Sequence, residues 1–366
     1  MRARFDPAKF LLAIAAPVIA VIFAGLVSSV VLLISGDAPL HVFKVMIDFG
    51  TEPQQLVNIL NKSTTYYLSA VAVAIGFRMN LFNIGVDGQY RLAAFFAAYV
   101  GGAVHLPRVL HLLVIIVVAV LVGAMWAGIA GLLRTGRGVS EVISTIMLNF
   151  IAAGIIAFLL SPDKLGVRLD LNNVATKPIV HSGQMPGFST SGGVIYGFIV
   201  LAILAGVGYS VLLNRSRFGF DLRATGKSES AAVASGVNVK RMILVSMLLS
   251  GGIAGLVGLP VLMGSAYTFS QDFQSGAGFT GIAIALLGRN NPIGMAIGAL
   301  LWSFLDVSNQ ILDLESVPKE ITTIMQGVIV LSVVIAYELV RRFGIAQEQR
   351  RVRARLSNLA TAEVAA

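Results

Sequence analysis

Ten apolar runs divide this chain, and most of them are long enough to cross a lipid bilayer as a helix. The hydrocarbon core of a bilayer is about 30 Å thick, which takes about 20 helical residues to span. Of the 366 residues, 56% are hydrophobic and only 12% are charged, a composition outside the range of soluble proteins. We therefore predict an all-α, polytopic membrane protein with about ten transmembrane helices. The runs lie near residues 10–34, 60–78, 84–103, 110–133, 142–160, 194–213, 242–264, 278–288, 293–311 and 320–340.

Basic residues gather in alternate loops, as the positive-inside rule requires of cytoplasmic loops. Both termini then lie in the cytoplasm, which requires an even number of spans, and ten satisfies that. We expect residues 1–345 to form one transmembrane domain and residues 346–366 a basic cytoplasmic tail. The first run is too long for the core of a signal peptide, so we expect it to be retained. The basic groups are Arg2, Arg4 and Lys9; Arg134 and Arg137; Arg215, Arg217, Arg223, Lys227, Lys240 and Arg241; and Arg341, Arg342, Arg350, Arg351, Arg353 and Arg355.

Residues 214–241 form the longest basic loop between two spans, and a loop of this kind is where a membrane protein meets a soluble partner. Its centre, SESAAVASG, is rich in small residues and moderately helical. Ser228 or Ser230 can cap the start of such a helix, and Gly236 can end it in the left-handed conformation. Small side chains also allow a helix to seat deeply in a groove. The alternative is an amphipathic turn that only links two spans.

Two polar interruptions, at residues 77–94 and 286–294, mark candidate parts of a transport route. Backbone that leaves helical geometry at membrane depth is tolerated where it is buried in protein or lines a wet cavity. Polar side chains on apolar spans also indicate a candidate transport route, and the alternative for each is a hydrogen bond between helices. For the segment RNNP at 289–292, a short cytoplasmic turn is an equal alternative. Our candidate route residues, with aromatic faces suited to base stacking, are Asn80, Phe82, Asn83, Gln89, Asn149, Phe150, Phe279 and Asn309.

The sequence lacks the residues that several classes of function require. There is no cysteine, and the four histidines have no ligand-like spacing, so we expect no metal site. The tripeptide GKS at 226–228 is not a Walker A motif, because Asp221 stands where its first glycine is needed. The spans carry no recognisable catalytic set, so we expect no enzyme. The net charge of +9 lies in loops beside the membrane, which favours lipid headgroups over nucleic acid as the partner.

Four segments, in order along most of the chain, carry a resemblance to a known family. They are FNIGVDGQ at 82–89, GVSEVISTIMLN at 138–149, RATGKSESAAVASGVNVKR at 223–241 and GFTGIAIALLGRNNPIG at 278–294. The chain resembles the permease subunits of bacterial ABC importers in the simple sugar and nucleoside (branched-chain amino acid/ribose-like) group. The segment EVISTIMLN is similar to that of the nucleoside-transporting members.

The resemblance implies a transporter subunit of the bacterial inner membrane that moves nucleosides, or related sugars, into the cytoplasm. It implies three partners: an ATPase subunit, a second permease subunit that is a related chain or a second copy, and an extracytoplasmic substrate-binding protein. ATP and Mg²⁺ would be bound by the ATPase and no cofactor by this chain. The loop would contain a coupling helix that sits in a cleft of the ATPase, with the coupling residues Arg223, Ala224, Thr225, Gly226, Ser228, Ala231, Ala232, Ser235 and Gly236.

A second function remains open from the residues alone. An ion-coupled secondary transporter of a small polar solute would need an acidic group within the membrane to bind the coupling ion. Asp87 and Asp306 are the candidates for that role. Such a transporter would work without an ATPase and would stop when the ion gradient is collapsed.

Overall fold

The computed structural model describes residues 22–336 except 171, 172, 316 and 319, together with 338, 339, 342, 346 and 349. Helices account for most of this part of the chain. We number them α1 (Ile22–Ser35), α2 (Pro39–Gly50), α3 (Pro53–Phe77), α4 (Val86–Ala103), α5 (Arg108–Arg137), α6 (Glu141–Leu159), α7 (Phe198–Arg215), α8 (Arg217–Lys227), α9 (Glu229–Ala234), α10 (Val239–Leu256), α11 (Leu259–Val261), α12 (Ala277–Leu287), α13 (Pro292–Leu314) and α14 (Glu320–Ala336).

The little β-structure that the described residues contain lies between α6 and α7. It consists of two antiparallel hairpins, β1 (Val167–Arg168) with β2 (Val174–Ala175) and β3 (Gly187–Thr190) with β4 (Gly193–Tyr196). A short 3₁₀ helix, His181–Gly183, separates the hairpins. The amide of Asn61 on α3 donates to the carbonyl of Val194 and accepts from the N–H of Tyr196, which fixes the second hairpin to α3.

Within the described residues, five helical stretches are long and apolar enough to cross a membrane: α5, α6, α7, α13 and residues Val239–Ala266, where α10 continues through α11 into a turn of π-helix. The pair α1 and α2, bent by 113°, would make a sixth. The prediction of a helical membrane protein is therefore confirmed, whereas ten spans and cytoplasmic termini stay predictions. Residues 10–21 of the first predicted span and nearly all of the tail at 346–366 lie outside the described residues.

The chain separates into two compact units. One comprises residues 47–308, and the other comprises residues 1–46 with 309–366. In the larger unit α3 is buried along most of its length, with neighbours on several sides. Helices α5 and α10 approach closely there because Gly123, Gly251 and Gly255 meet at their crossing. The spacing of Gly251 and Gly255 in the sequence indicates close packing, and the structure confirms it.

Two helices of the larger unit begin partway along their neighbours rather than at the end of the bundle. The first residue of α12, Ala277, accepts a hydrogen bond from Ser69, which lies about 12 Å of helix before the end of α3. Near the start of α4, Gly88 bonds to Asn149, which lies about 12 Å along α6. With 11 residues, α12 is too short to cross a bilayer alone. The first turns of both helices therefore lie about two turns from the nearer ends of α3 and α6.

Candidate functional site

A network of amide side chains holds the segment between α3 and α4 in place. Asn83 and Gln89 are buried and bond to each other twice, at 2.9 and 2.8 Å. The Asn83 amide also donates to Ser250 of α10 at 2.8 Å, and the Ser250 hydroxyl donates to the carbonyl of Ala72 on α3 at 2.7 Å. Since Asn83 also accepts from the N–H of Gly85, each of its polar atoms is satisfied within the protein. These two amides join three helices.

Asn149 and Asp87 extend this network to α6 and α12. Asn149 accepts from the N–H of Gly88 at 2.8 Å and donates to the carbonyl of Ile84 at 3.0 Å. One carboxylate oxygen of Asp87 accepts from the N–H groups of residues 276 and 278, at 2.8 and 3.3 Å, so that Asp87 caps the first turn of α12. We call the set Asn83, Asp87, Gln89, Asn149 and Ser250 the polar junction.

Exposed aromatic rings border the polar junction. Phe150 follows Asn149 in the chain, Phe279 follows the glycine that bonds to Asp87, and Phe82 precedes Asn83. Their side chains are 70%, 53% and 44% exposed. Asn80 is also exposed and adopts a positive φ of 59°. Six of the eight candidate route residues thus lie in the polar junction or next to one of its bonded residues in the chain: Phe82, Phe150 and Phe279 are exposed, and Asn83, Gln89 and Asn149 bond between helices. Asn80 lies in the turn that follows α3.

The eighth candidate, Asn309, lies elsewhere. Its side-chain oxygen accepts a hydrogen bond of 2.7 Å from Thr322, which joins α13 to α14 within the smaller unit. For this residue too, the structure shows a bond between helices, which was the alternative interpretation of the sequence.

The loop at 214–241 folds as two short helices, α8 and α9. Ser228 caps α9 by accepting from the N–H of Ala231, and Gly236 follows the helix with a φ of +83°. Both features agree with the expectation from sequence. Ser216 and Asn238 cap α8 and α10 in the same way. Side-chain caps therefore define the three helix starts in this loop.

The nine candidate coupling residues divide into an inner, an outer and a half-buried group. Thr225 and Ala232 are each only 2% exposed, and Gly226 packs against the turn that follows α3. The outer group is Ser228, Ala231, Ser235 and Gly236, whereas Arg223 and Ala224 are half-buried. Val233, which the sequence did not single out, is 61% exposed beside them. We call the exposed residues of α9 and its two caps the α9 face.

A cavity of about 640 Å³ lies between α3, α7 and α13. None of the eight candidate route residues lines it. Its walls are mainly apolar, with polar groups of α3 such as Thr64 and Tyr67 on one side and Arg78, Asn214 and Asn291 at one end. The only sequence signal for it is that polar residues occupy the first half of α3, an otherwise apolar helix.

The two acidic residues considered for ion coupling both have partners. Asp306 of α13 forms an ion pair with Lys62 of α3 and accepts a hydrogen bond of 2.6 Å from Tyr66. Asp87 caps α12, as described above. Among the described residues, no three His, Asp or Glu side chains come together as metal ligands would. The ion pair with Lys62 neutralises the negative charge of Asp306, which a coupling cation would need.

These features define a multi-pass, helical membrane protein, in which broken helices meet at a polar junction and a capped helix is exposed on a basic loop. Such an arrangement fits a subunit of a membrane transporter. The chain belongs to the family described as branched-chain amino acid transport system / permease component, whose model matches residues 55–334.

Named relatives share nearly the whole length of the chain. The guanosine ABC transporter permease protein NupP of Bacillus subtilis is 33% identical over 88% of this chain and 93% of its own. The nucleoside ABC transporter permease protein NupB of Lactococcus lactis is 29% identical over 88% and 90%. The glucose ABC transporter permease protein TsgB13 of Haloferax volcanii is 30% identical over 93% and 92%. No solved structure matches the chain.

Proposed function

We propose that this chain is the permease subunit of an ATP-binding cassette importer that moves nucleosides, or related simple sugars, into the cytoplasm. Two of the relatives described above are named for guanosine and nucleoside transport and one for glucose, which supports this substrate class. The chain performs no covalent chemistry. In this proposal it has about ten transmembrane segments, of which the one at α12 covers only part of the bilayer, and both termini lie in the cytoplasm.

Three protein partners complete the importer in this proposal. An ATPase subunit binds ATP and Mg²⁺ and supplies the energy. A second permease subunit, a related chain or a second copy, provides the other half of the route, and an extracytoplasmic protein delivers the substrate. Family membership supports the ATPase and the substrate-binding protein in general terms.

The observation that carries the proposal is the α9 face. A short helix with capped ends, an exposed valine and small neighbours stands on a basic loop, and α8 beneath it contacts the end of α3. An apolar side chain exposed among small ones suits a groove on a partner protein. We infer that the ATPase holds the α9 face and that its closure and opening move α8.

For the route, we propose a surface beside the polar junction that includes the exposed residues Asn80, Phe82, Phe150 and Phe279. Aromatic faces can stack on a nucleobase, and the asparagine amide can bond its polar edge or a sugar hydroxyl. The second permease subunit would cover this surface and enclose the substrate. Asn83, Gln89, Asn149 and Asn309 then hold the helices that form the wall.

The test is to replace Val233 with aspartate and to measure binding of the purified ATPase. Burying a whole valine side chain contributes about 1.5–3 kcal/mol, and 61% of this one is available to a partner. We therefore expect binding to weaken by about tenfold, with ATP-driven uptake falling in parallel. Val139, which is 39% exposed in the predicted cytoplasmic turn between α5 and α6, provides the matched control. Equal effects of Val233→Asp and Val139→Asp, or none from either, would contradict the role of the α9 face.

A further inference from the structure

Two turns that lie far apart in the sequence are bonded together at the end of α3. A guanidinium nitrogen of Arg78 donates to the carbonyl of Asn290 at 2.9 Å, and Arg78 Nε donates to the Tyr209 hydroxyl at 3.4 Å. The Tyr209 hydroxyl donates to the same Asn290 carbonyl at 2.8 Å. We call these three residues the Arg78 clamp. It joins the turn after α3, the helix α7 and the turn before α13.

The loop at 214–241 rests directly on the first of these turns. Gly226, near the end of α8, lies so close to the backbone of residues 78 and 79 that a Cβ there would stand 2.7 Å from the carbonyl oxygen of Arg78. It would also stand 2.9 Å from Cα of Met79. A side chain cannot fit at this contact without displacing backbone, so a displacement of α8 pushes on the turn that carries Arg78.

Left-handed backbone conformations are concentrated at the same two turns, and the one at Arg289 is strained. Four non-glycine residues of the described chain have positive φ, and Asn80, Arg289 and Asn290 are three of them. The side-chain oxygen of Asn290 is buried and has no hydrogen-bond partner among the described residues. Strained residues and unsatisfied polar atoms persist where the surrounding structure holds them, and they are found at elements that switch between states.

The clamp also lines the cavity between α3, α7 and α13. Arg78 and Tyr209 line the cavity, together with Asn291 and Pro292 of the bonded turn. Pro292 is the first residue of α13, whose next residue, Ile293, also lines the cavity. A shift of this turn therefore changes the width of the cavity beside it.

We propose that the Arg78 clamp transmits the displacement of α8 to the turn at 289–292 and to the start of α13, and that Arg78 is a positioning residue for transport. The inference rests on the proposed function, because it assumes that a partner ATPase drives α8. It adds a route by which the movement of α8 reaches the turn at 289–292. The clamp thus connects the contact with the ATPase to the cavity within one subunit.

The first test measures substrate taken up per ATP hydrolysed by the complete transporter in proteoliposomes. In Arg78→Met the side-chain stem stays and the bonds to Asn290 and Tyr209 are lost. We expect uptake per ATP to fall by about tenfold, a typical size for coupling between two sites, while ATPase activity stays within about twofold. Tyr209→Phe should show a smaller loss, because Arg78 still reaches Asn290. Ser210→Ala, which alters the same cavity wall without touching the clamp, should behave as wild type.

The second test follows the movement itself. Because the chain has no cysteine, spin labels can be attached at Phe220→Cys on α8 and Ile293→Cys on α13, both exposed positions. In the complete transporter, the distance distribution between these labels should respond differently to ATP with and without Arg78. With the clamp intact we expect α8 and α13 to move together, so that the distribution changes little. In Arg78→Met we expect it to broaden or shift when ATP is added.

The outcomes separate the two proposals. If the wild-type transporter shows no ATP-driven uptake, the proposed function is wrong and the clamp inference falls with it. If wild type is driven by ATP, and Arg78→Met keeps both the uptake ratio and the label distances, only the clamp inference is wrong. It is also overturned if Arg78→Met lowers uptake, ATPase activity and melting temperature in proportion, because the clamp would then only stabilise the fold.

Discussion

Replacing Asp306 with asparagine should destabilise the larger unit by leaving a lysine without its counter-charge. Asp306 and Lys62 form an ion pair between α13 and α3, and Tyr66 donates to the same carboxylate oxygen. The two charged side chains are 30% and 34% exposed, so the pair is neither fully buried nor a surface pair. Both helices lie among predicted transmembrane segments, where an unpaired charge is costly.

The size of the effect follows from that partial burial. Removing one partner of a buried pair costs about 3–5 kcal/mol, whereas an exposed pair contributes about 0.2–1 kcal/mol. We therefore expect a loss of about 2 kcal/mol between these limits. In a unit of this size each kcal/mol lowers the melting temperature by about 2–4 °C. Asp306→Asn should accordingly melt about 4–8 °C below wild type.

The assay is thermal unfolding of the purified protein, with the double variant Lys62→Met, Asp306→Asn as the control. The double variant removes both charges, and the asparagine oxygen can still accept from Tyr66. Its melting temperature should return to within about 3 °C of wild type. The same two variants also test the ion-coupled transporter, in which Asp306 would hold the coupling ion.

Two results would refute this reasoning. If Asp306→Asn melts as wild type does, the pair contributes nothing to stability. If the double variant is stable but transports nothing, while an ion gradient drives wild-type uptake, Asp306 acts on an ion rather than on Lys62.

Two further predictions concern packing and hydrogen bonding in the larger unit, both measured by thermal unfolding. Asn149→Leu leaves the N–H of Gly88 and the carbonyl of Ile84 without partners, so we expect a loss of about 3 kcal/mol; an unchanged melting temperature would mean that water replaces the side chain. Gly255→Ala should cost about 1–3 kcal/mol, because the added methyl overlaps the backbone of α5. Gly252→Ala is its control, since the nearest atom there is 3.4 Å away, and equal losses from both would contradict the packing.

Local features of the fold could be predicted from the sequence because they depend on neighbouring residues. Ser228 and Gly236 bound α9 as expected, since capping and left-handed conformations follow from the residue type and its immediate context. The two polar interruptions were also recognised as breaks. The sequence does not show where along the bundle these breaks lie. For α12, that position is given by the hydrogen bond between Ser69 and Ala277.

The candidate route could be predicted only as a set of residues. Asn149 and Phe150 are adjacent in the sequence, yet one side chain bonds between helices and the other is 70% exposed. Which face of a helix meets a neighbour depends on contacts made far away in the chain. The same limit applies to the Arg78 clamp, which the sequence does not indicate because Arg78 and Asn290 are separated by 212 positions.

The most direct test of the account is to reconstitute this chain in liposomes, alone and with its ATPase, its second permease subunit and its substrate-binding protein. Liposomes that contain all partners are prepared in two sets, one with ATP on the side of the ATPase and one without ATP. Radiolabelled nucleoside should accumulate only in the set that contains ATP. Collapsing proton and sodium gradients with ionophores should not reduce that accumulation. Concentrative uptake by the chain alone, driven by an ion gradient and abolished by ionophores, would contradict the claim that it is a gate moved by a partner through the α9 face.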